Sequence, residues 1–178
     1  MQQLYANTMS QPFDLKEAQK QLLSSNEGFF ELYLFLLNMF IEVQSCGRSL
    51  HKLVKKQYLE ANSNQLNPKF FSNLAIAKIT SSETLKKYTN QLKITHWQKY
   101  DEYVRLIWDH IAASDAYAAY LAESKSGFTS DKNALITLFT DVIAPYDRMH
   151  ELIEEIKPSW VDDFPLVNTI LRNTLIHM

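Results

Sequence analysis

The chain has 178 residues, a formal net charge of −2 and a hydrophobic content of 46%, enough for one domain or two small helical lobes. Only three glycines and five prolines are present, which argues against a turn-rich all-β fold. The near-neutral charge argues against a strongly basic nucleic-acid clamp, although it leaves room for one local basic patch. The single cysteine, Cys46, excludes an internal disulfide framework and is typical of a reducing cytoplasm.

The beginning of the chain predicts a short helix followed by a turn. Asp14 and Glu17 have the spacing of a capping box, so an amphipathic helix is expected over residues 15–23. Residues 24–28, Ser-Ser-Asn-Glu-Gly, favour a turn that would end this helix.

A long helix is expected from residue 29 to about residue 60. Residues 29–43 are apolar on nearly all sides, which predicts that this part is buried. Glu31 and Asn38 interrupt the apolar run, and it is shorter than the roughly 20 residues that span a bilayer, so no membrane association is expected. The N-terminus has neither the basic nor the apolar region of a signal peptide, and we expect a cytoplasmic location.

The clearest linker in the sequence is residues 61–68, Ala-Asn-Ser-Asn-Gln-Leu-Asn-Pro, which are rich in turn-forming residues. The chain is therefore expected to form one all-helical region over residues 1–178. Two lobes, residues 1–60 and 69–178, joined by this linker, are the alternative arrangement.

The middle of the chain predicts two capped helices. Ser81 or Ser82 can cap a helix over residues 83–92, and Thr95 can cap a helix that runs to about Ala113. The second helix has apolar residues at three- and four-residue steps: Trp97, Tyr100, Val104, Ile107, Trp108 and Ile111. Core packing is the favoured interpretation, because a base-stacking platform would be exposed and interleaved with several basic residues.

The remaining sequence continues the helical pattern. Helices are expected over residues 115–123, 131–143 and 145–157, then a connector over residues 158–165 and a last helix from about residue 166 to the end. No strand alternation is evident. These patterns together predict an all-α helical bundle of mostly antiparallel helices joined by short loops.

Catalytic and metal-binding patterns are not evident in the sequence. The five histidines, at positions 51, 96, 110, 150 and 177, form no helical pair at ligand spacing. Glu151, Glu154 and Glu155 lack the second set of ligands that a ferritin-type carboxylate centre requires, so a solvated face is favoured. We expect no catalysis, no metal and no cofactor, and keep a carboxylate or histidine enzyme as a weak alternative.

The most suggestive basic feature consists of Arg48, Lys52, Lys55 and Lys56, with His51 beside them. Steps of three and four residues place most of these on one side of the long helix. A stripe facing RNA phosphates is one interpretation. An exposed face of ordinary lysines is the other, and composition alone favours it.

Segments spread along the chain resemble the NusB family of transcription antitermination factors, in the long variant of the Bacteroidetes type. The resemblance begins with MQQLYA at residues 1–6, where Gln2 and Tyr5 fit the family's Gln-x-Leu-Tyr element. It continues with DEYVRLIW at 101–108, AASDAY at 112–117, LFTDVIAP at 138–145 and WVDDFPLVNTILR at 160–172. The order and spacing of these short motifs carry the resemblance.

The resemblance implies an RNA- and protein-binding role. A NusB-type factor binds a boxA-like RNA together with the ribosomal protein NusE and joins an RNA polymerase complex. On this basis Gln2 and Tyr5 are expected RNA contacts, and Arg48, Lys52, Lys55 and Lys56, which helical spacing indicated, are the other candidates. The family's arginine-rich stretch and its later half are not in this sequence, so we expect the N-terminal part of a longer relative. A helical protein-interaction module without RNA binding is the alternative.

The tail of the chain predicts a contact with a partner. Ile170, Leu171 and Leu175 are apolar residues of the last expected helix. We expect their face to meet a partner protein or a second copy of the chain, since an uncovered apolar face favours association.

Overall fold

The computed structural model describes the backbone of residues 15–57, 67–124 and 126–178, and the side chains of these residues except 15–26 and 54–57. In these ranges the chain is helical and contains no strand. The helices are α1 (Leu15–Gln57), α2 (Leu74–Thr80), α3 (Glu83–Gln91), α4 (His96–Lys99), α5 (Asp101–Ala112), α6 (Asp115–Ala122), α7 (Phe128–Thr137), α8 (Asp147–Ile156) and α9 (Trp160–His177). They pack together around one apolar core, which confirms the expected all-α helical bundle.

Helix α1 is the centre of the bundle and packs mainly against α9 and α5. Its apolar stretch is buried as predicted, with Leu32, Phe35 and Leu36 fully inaccessible to solvent. Phe35 stacks on Trp97 with ring centroids 4.2 Å apart. Each such side chain contributes about 1.5–3 kcal/mol when fully buried, so this stretch supplies much of the stability of the bundle.

The expected turn at residues 24–28 is wrong, because α1 continues through it without a break. Ser, Asn and Gly are weak helix formers, but tertiary packing overrides such preferences. Gly28 is buried where α9 begins, close to Lys157 and Trp160. Glu31 accepts a hydrogen bond from Lys157 Nζ at 2.8 Å, which also joins α1 to this end of α9.

A longer part of α1 than expected passes a simple test for a membrane span. Among the described residues, the helical stretch Glu27–Leu53 is long and apolar enough by length and composition alone, with a mean hydropathy of 1.3. Half of its most apolar window is buried inside the bundle. A core helix of a soluble protein passes the same test, and the burial of Leu32, Phe35 and Leu36 fits that interpretation.

The expected helix from Thr95 to Ala113 is divided into α4 and α5 at Tyr100, whose backbone is not helical. The break leaves Trp97 facing α1, where its indole N–H donates to the Phe35 carbonyl at 2.9 Å. The stripe on α5 is buried as predicted. The expected cap of α3 is also confirmed, since Ser82 Oγ accepts the Leu85 N–H at 3.2 Å.

The C-terminal helices begin and end elsewhere than the sequence predicts. Helix α7 is followed by a π-helical segment, Leu138–Ile143, and α8 begins at Asp147, after Pro145. Helix α9 begins at Trp160 and contains Pro165, which was expected to lie in a connector. Pro165 cannot donate to the Val161 carbonyl, but water can reach this exposed side of the first turns.

Candidate nucleic-acid interface

A basic ridge, defined here as Arg48 and Lys52, lies on the surface of α1. Both side chains are exposed and are separated by one helical turn. Arg48 Nη2 donates to the carbonyl of Phe71 at 2.6 Å, so its guanidinium is held in one orientation. His51 lies between them and packs its ring against Phe71, with centroids 5.4 Å apart.

The 3₁₀ turn Phe70–Ser72 carries the carbonyl that holds Arg48. Phe70 and Phe71 are buried, and both rings lie against Trp108 with centroids less than 6 Å away. Gln44 Nε2 donates to the Phe70 carbonyl at 3.1 Å. The ridge is therefore supported by packed aromatic rings and a second hydrogen bond to α1.

A buried clasp, defined as Asn73, Tyr120 and Asp131, fixes the end of this turn to α6 and α7. Asp131 is 6% exposed, and its Oδ2 and Oδ1 accept the Leu74 N–H and the Tyr120 O–H, both at 2.8 Å. Asn73 caps α2 by accepting the N–H groups of Ala75 and Ile76. Burial raises the pKa of the Tyr120 phenol, so it stays a donor. A charge-assisted network of this kind strongly restrains the segments it joins.

Lys69 is basic but is used within the fold. Its Nζ donates to the carbonyls of Tyr120 and Glu123 at 2.5 and 2.8 Å, which satisfies the C-terminal end of α6. It also lies over the Tyr120 ring, 4.4 Å from the centroid. Lys69 is therefore a part of the support for the ridge rather than a phosphate contact.

The other expected RNA contacts lie outside what the structure describes. Gln2 and Tyr5 precede the described residues, and most of the expected linker at 61–68 lies in the gap between residues 57 and 67. Lys55 and Lys56 lie in the last turn of α1, but their side chains are not among those described.

The three residues expected at a partner interface differ in how deeply they are buried. Leu171 and Leu175 are 0% exposed and pack inside the core, whereas Ile170 is 38% exposed. The expectation is corrected for Leu171 and Leu175, because the face of α9 that carries them packs within the bundle. Leu166, one turn before Ile170, is exposed as well, so these two residues share an apolar patch on one face of α9, and Val161 is also exposed near the start of the helix.

A second basic segment lies between residues 78 and 99, which carry five lysines and one glutamate. Its formal net charge is +4 in a chain whose net charge is −2. These lysines do not recur at helical steps of three and four residues, so the sequence pattern did not indicate a basic face here. A local charge count would have found them.

Beside this segment a polar cleft with a volume of about 290 Å³ opens between α1, α3 and α4. The cleft is lined mostly by polar and acidic residues, which are Asn38, Glu42, Thr89, Asn90, Thr95 and Gln98. Ile94 and Trp97 are its apolar lining residues, and Lys93 is its basic lining residue. Asn38 Nδ2 donates to the Leu34 carbonyl at 2.8 Å and to Thr89 Oγ1 at 2.9 Å, which fixes one wall. Burial raises the pKa of the Glu42 carboxyl above its ordinary value.

Lys93 occupies an unusual backbone position at the cleft. Its φ is 53°, in the left-handed region where glycine is usual. The N–H groups of Lys93 and Ile94 bond to the carbonyls of Asn90 and Thr89, which is the Schellman ending of α3. This ending places a lysine at the cleft at a cost in backbone strain.

We expect Lys93→Gly to raise the free energy of unfolding by up to about 1 kcal/mol, because glycine adopts the left-handed conformation without strain. Urea unfolding would measure the change. Lys93→Ala is the matched control, since it removes the same side chain and keeps the strain. Equal stability of the two variants would contradict the described ending of α3.

Two glutamates of α8 and the Cys46 thiol have contacts or burial that are typical of surface and core residues. Among the described residues, no three His, Cys, Asp or Glu side chains converge as metal ligands would. On α8, Glu151 pairs with Arg148 at 2.6 Å and Glu155 accepts the Tyr103 hydroxyl at 3.3 Å. Burial raises the pKa of the Cys46 thiol, which lowers its reactivity.

Comparisons with known proteins find no match to this chain among family models, curated proteins or solved structures.

Proposed function

We propose that this protein is an RNA- and protein-binding factor of transcription antitermination, of the kind that the NusB resemblance implies. It would bind a boxA-like RNA together with the ribosomal protein NusE and join an RNA polymerase complex in the cytoplasm. Its mechanism would be assembly, in which the protein holds partners together and makes or breaks no covalent bond.

The observation that best supports this proposal is the orientation of Arg48. A guanidinium has five N–H donors, and only one Arg48 nitrogen is engaged by the Phe71 carbonyl. This bond does not use the other donors, and the exposed Lys52 lies one helical turn further along α1. A fixed guanidinium loses less conformational freedom when it binds a phosphate, so the ridge is suited to an RNA backbone.

The small net charge also fits a factor that binds RNA together with a partner. Affinity for nucleic acid comes largely from phosphate contacts and falls steeply with salt. A chain in which 20 Asp and Glu outnumber 18 Lys and Arg has little overall electrostatic attraction for RNA. A second RNA-binding protein in the same complex would supply the remainder of the affinity.

The ridge can be tested by the double variant Arg48→Gln with Lys52→Gln in a filter-binding titration with a boxA-type RNA at two salt concentrations. We expect roughly tenfold weaker binding at low salt and a salt slope reduced by about 1.4, because two contacts to a single strand are lost. The control is Lys78→Gln with Arg172→Gln, which removes the same charge away from the ridge and should have a much smaller effect.

Two outcomes would count against the proposal in different ways. Saturable binding by the wild type with an unchanged ridge variant would exclude the ridge as the RNA contact. Absence of saturable binding by the wild type at low salt would contradict RNA binding itself.

A helical interaction module without RNA binding is the second candidate. Two exposed apolar residues one turn apart on α9, Leu166 and Ile170, support it, because exposed apolar surface on one helix face is typical of protein contacts. In that case the chain would bind a protein partner and fail the same RNA titration.

A further inference from the structure

The polar cleft between α1, α3 and α4 has the size and chemistry of a site for one small polar group. Its volume of about 290 Å³ is just below the range of ligand pockets, roughly 300–1,000 Å³, so it suits a small group. The lining combines amide, hydroxyl and carboxyl groups, so it offers both donors and acceptors. A flat group with a mixed hydrogen-bonding edge matches such a lining.

Two lysines, Lys86 and Lys93, lie at or beside the cleft, where their positive charges can neutralise an anionic group just outside it. Lys93 is part of the lining and is exposed. Lys86 precedes Thr89 and Asn90 by three and four residues, so it lies on the face of α3 that forms the cleft. Lys86 pairs with Glu83 at 2.8 Å, but this pair is exposed and is easily exchanged for a stronger anion.

The arrangement of charges distinguishes between possible occupants. Glu42 contributes a carboxyl group to the cleft. This carboxyl group is partly buried, so a second negative charge placed beside it would be unfavourable. An acidic peptide side chain would meet this carboxyl group. A nucleobase is neutral, and its amino group can donate to a carboxylate, while Asn90 and Gln98 can pair with its other edge atoms.

From these features we propose that the cleft binds one unpaired nucleotide of a single-stranded RNA, with the base inside and the neighbouring phosphates at Lys86 and Lys93. The proposal rests on the RNA-binding function proposed above and adds a contact distinct from the ridge on α1. A single strand is required because the base edges of an RNA duplex are largely out of reach of side chains. The +4 charge of residues 78–99 attracts the strand to this surface.

The phosphate part of the proposal is tested by Lys86→Gln with Lys93→Gln, titrated with a single-stranded boxA-type RNA at two salt concentrations. We expect at least roughly tenfold weaker binding and a salt slope reduced by about 1.4. Lys78→Gln with Arg172→Gln is the control, because it removes equal charge at two residues that do not line the cleft. Thermal unfolding of each variant confirms that the fold is kept.

The base part is tested by Asn90→Ala with Gln98→Ala. These changes should weaken RNA binding and leave the salt slope unchanged, because they remove base contacts and no phosphate contacts. Cross-linking of a 4-thiouridine RNA, mapped by mass spectrometry, should identify the peptide that contains residues 87–98.

The outcomes separate this proposal from the one on which it rests. If the wild type binds the RNA and the cleft variants bind as the control does, the cleft proposal is overturned and the RNA-binding function stands. If the wild type binds no RNA at low salt, both fail. If polyglutamate competes with RNA for wild-type protein and loses affinity in the lysine variant while RNA does not, an acidic protein partner replaces RNA at this site.

Discussion

Asp131→Ala is expected to lower the free energy of unfolding by roughly 4 kcal/mol, measured by urea unfolding at neutral pH. Both carboxylate oxygens of this buried residue accept hydrogen bonds, one from Leu74 and one from Tyr120. Alanine leaves the buried Tyr120 hydroxyl and the part-buried Leu74 N–H without this acceptor. Each orphaned donor costs about 1–3 kcal/mol, and the lost bonds were to a charged group.

Asp131→Asn is the matched control for this prediction. Its side chain has the same shape and keeps one acceptor oxygen for Leu74, while its amide can donate to the Tyr120 oxygen. We expect a loss of only about 1 kcal/mol. If the alanine variant were no less stable than the asparagine variant, the clasp would not be the restraint described here.

Gly47→Ala and Gly28→Ala are expected to change stability in opposite directions, although both lie inside α1. A Cβ at Gly47 would lie 2.9 Å from Phe71 and Trp108, whose rings are buried and rigid. Overpacking of this kind costs about 1–3 kcal/mol and exceeds the gain in helix propensity. A Cβ at Gly28 meets its nearest atom at 3.5 Å, an ordinary contact, so this variant should gain about 0.5–1 kcal/mol.

Both glycine variants are measured by urea unfolding under the same conditions. Equal slopes of the free energy of unfolding against urea concentration are the check on two-state behaviour. A loss of stability in Gly28→Ala would indicate that α1 is broken near residue 28, as the sequence alone suggested. A gain in Gly47→Ala would contradict the close packing of Phe71 and Trp108 on α1, on which the ridge depends.

The sequence predicted the parts of the fold that depend on local periodicity. The buried run at residues 29–43 and the stripe on α5 follow from apolar spacing, and the cap at Ser82 follows from residue type. The helix through residues 24–28 and the break at Tyr100 were not predicted, because contacts with distant elements decide them. Propensity is too weak to overcome such contacts.

The candidate site was less predictable for the same reason. The basic residues at 48 and 52 were found from helical spacing, but the hydrogen bond from Arg48 to Phe71 joins segments that are distant in sequence. The cleft combines Asn38, Thr89 and Gln98 from three helices, and no local pattern brings them together. The burial of Leu171 and Leu175 likewise depends on which face of α9 meets α1.

The ridge and the cleft each place a basic residue through a feature of the backbone. A hydrogen bond to a carbonyl restrains the side chain of Arg48, and the left-handed ending of α3 places the Cα of Lys93 at the cleft. In the proposed complex, the restrained Arg48 would lose less entropy on binding than a freely rotating side chain.

The most direct test of the proposed function is a titration of wild-type protein with a boxA-type RNA, with and without NusE, at low and moderate salt. We expect saturable binding that weakens steeply with salt and tightens when NusE is present, and the RNA should tighten NusE binding by the same factor. Absence of saturable RNA binding at low salt, with or without NusE, would contradict the proposed function.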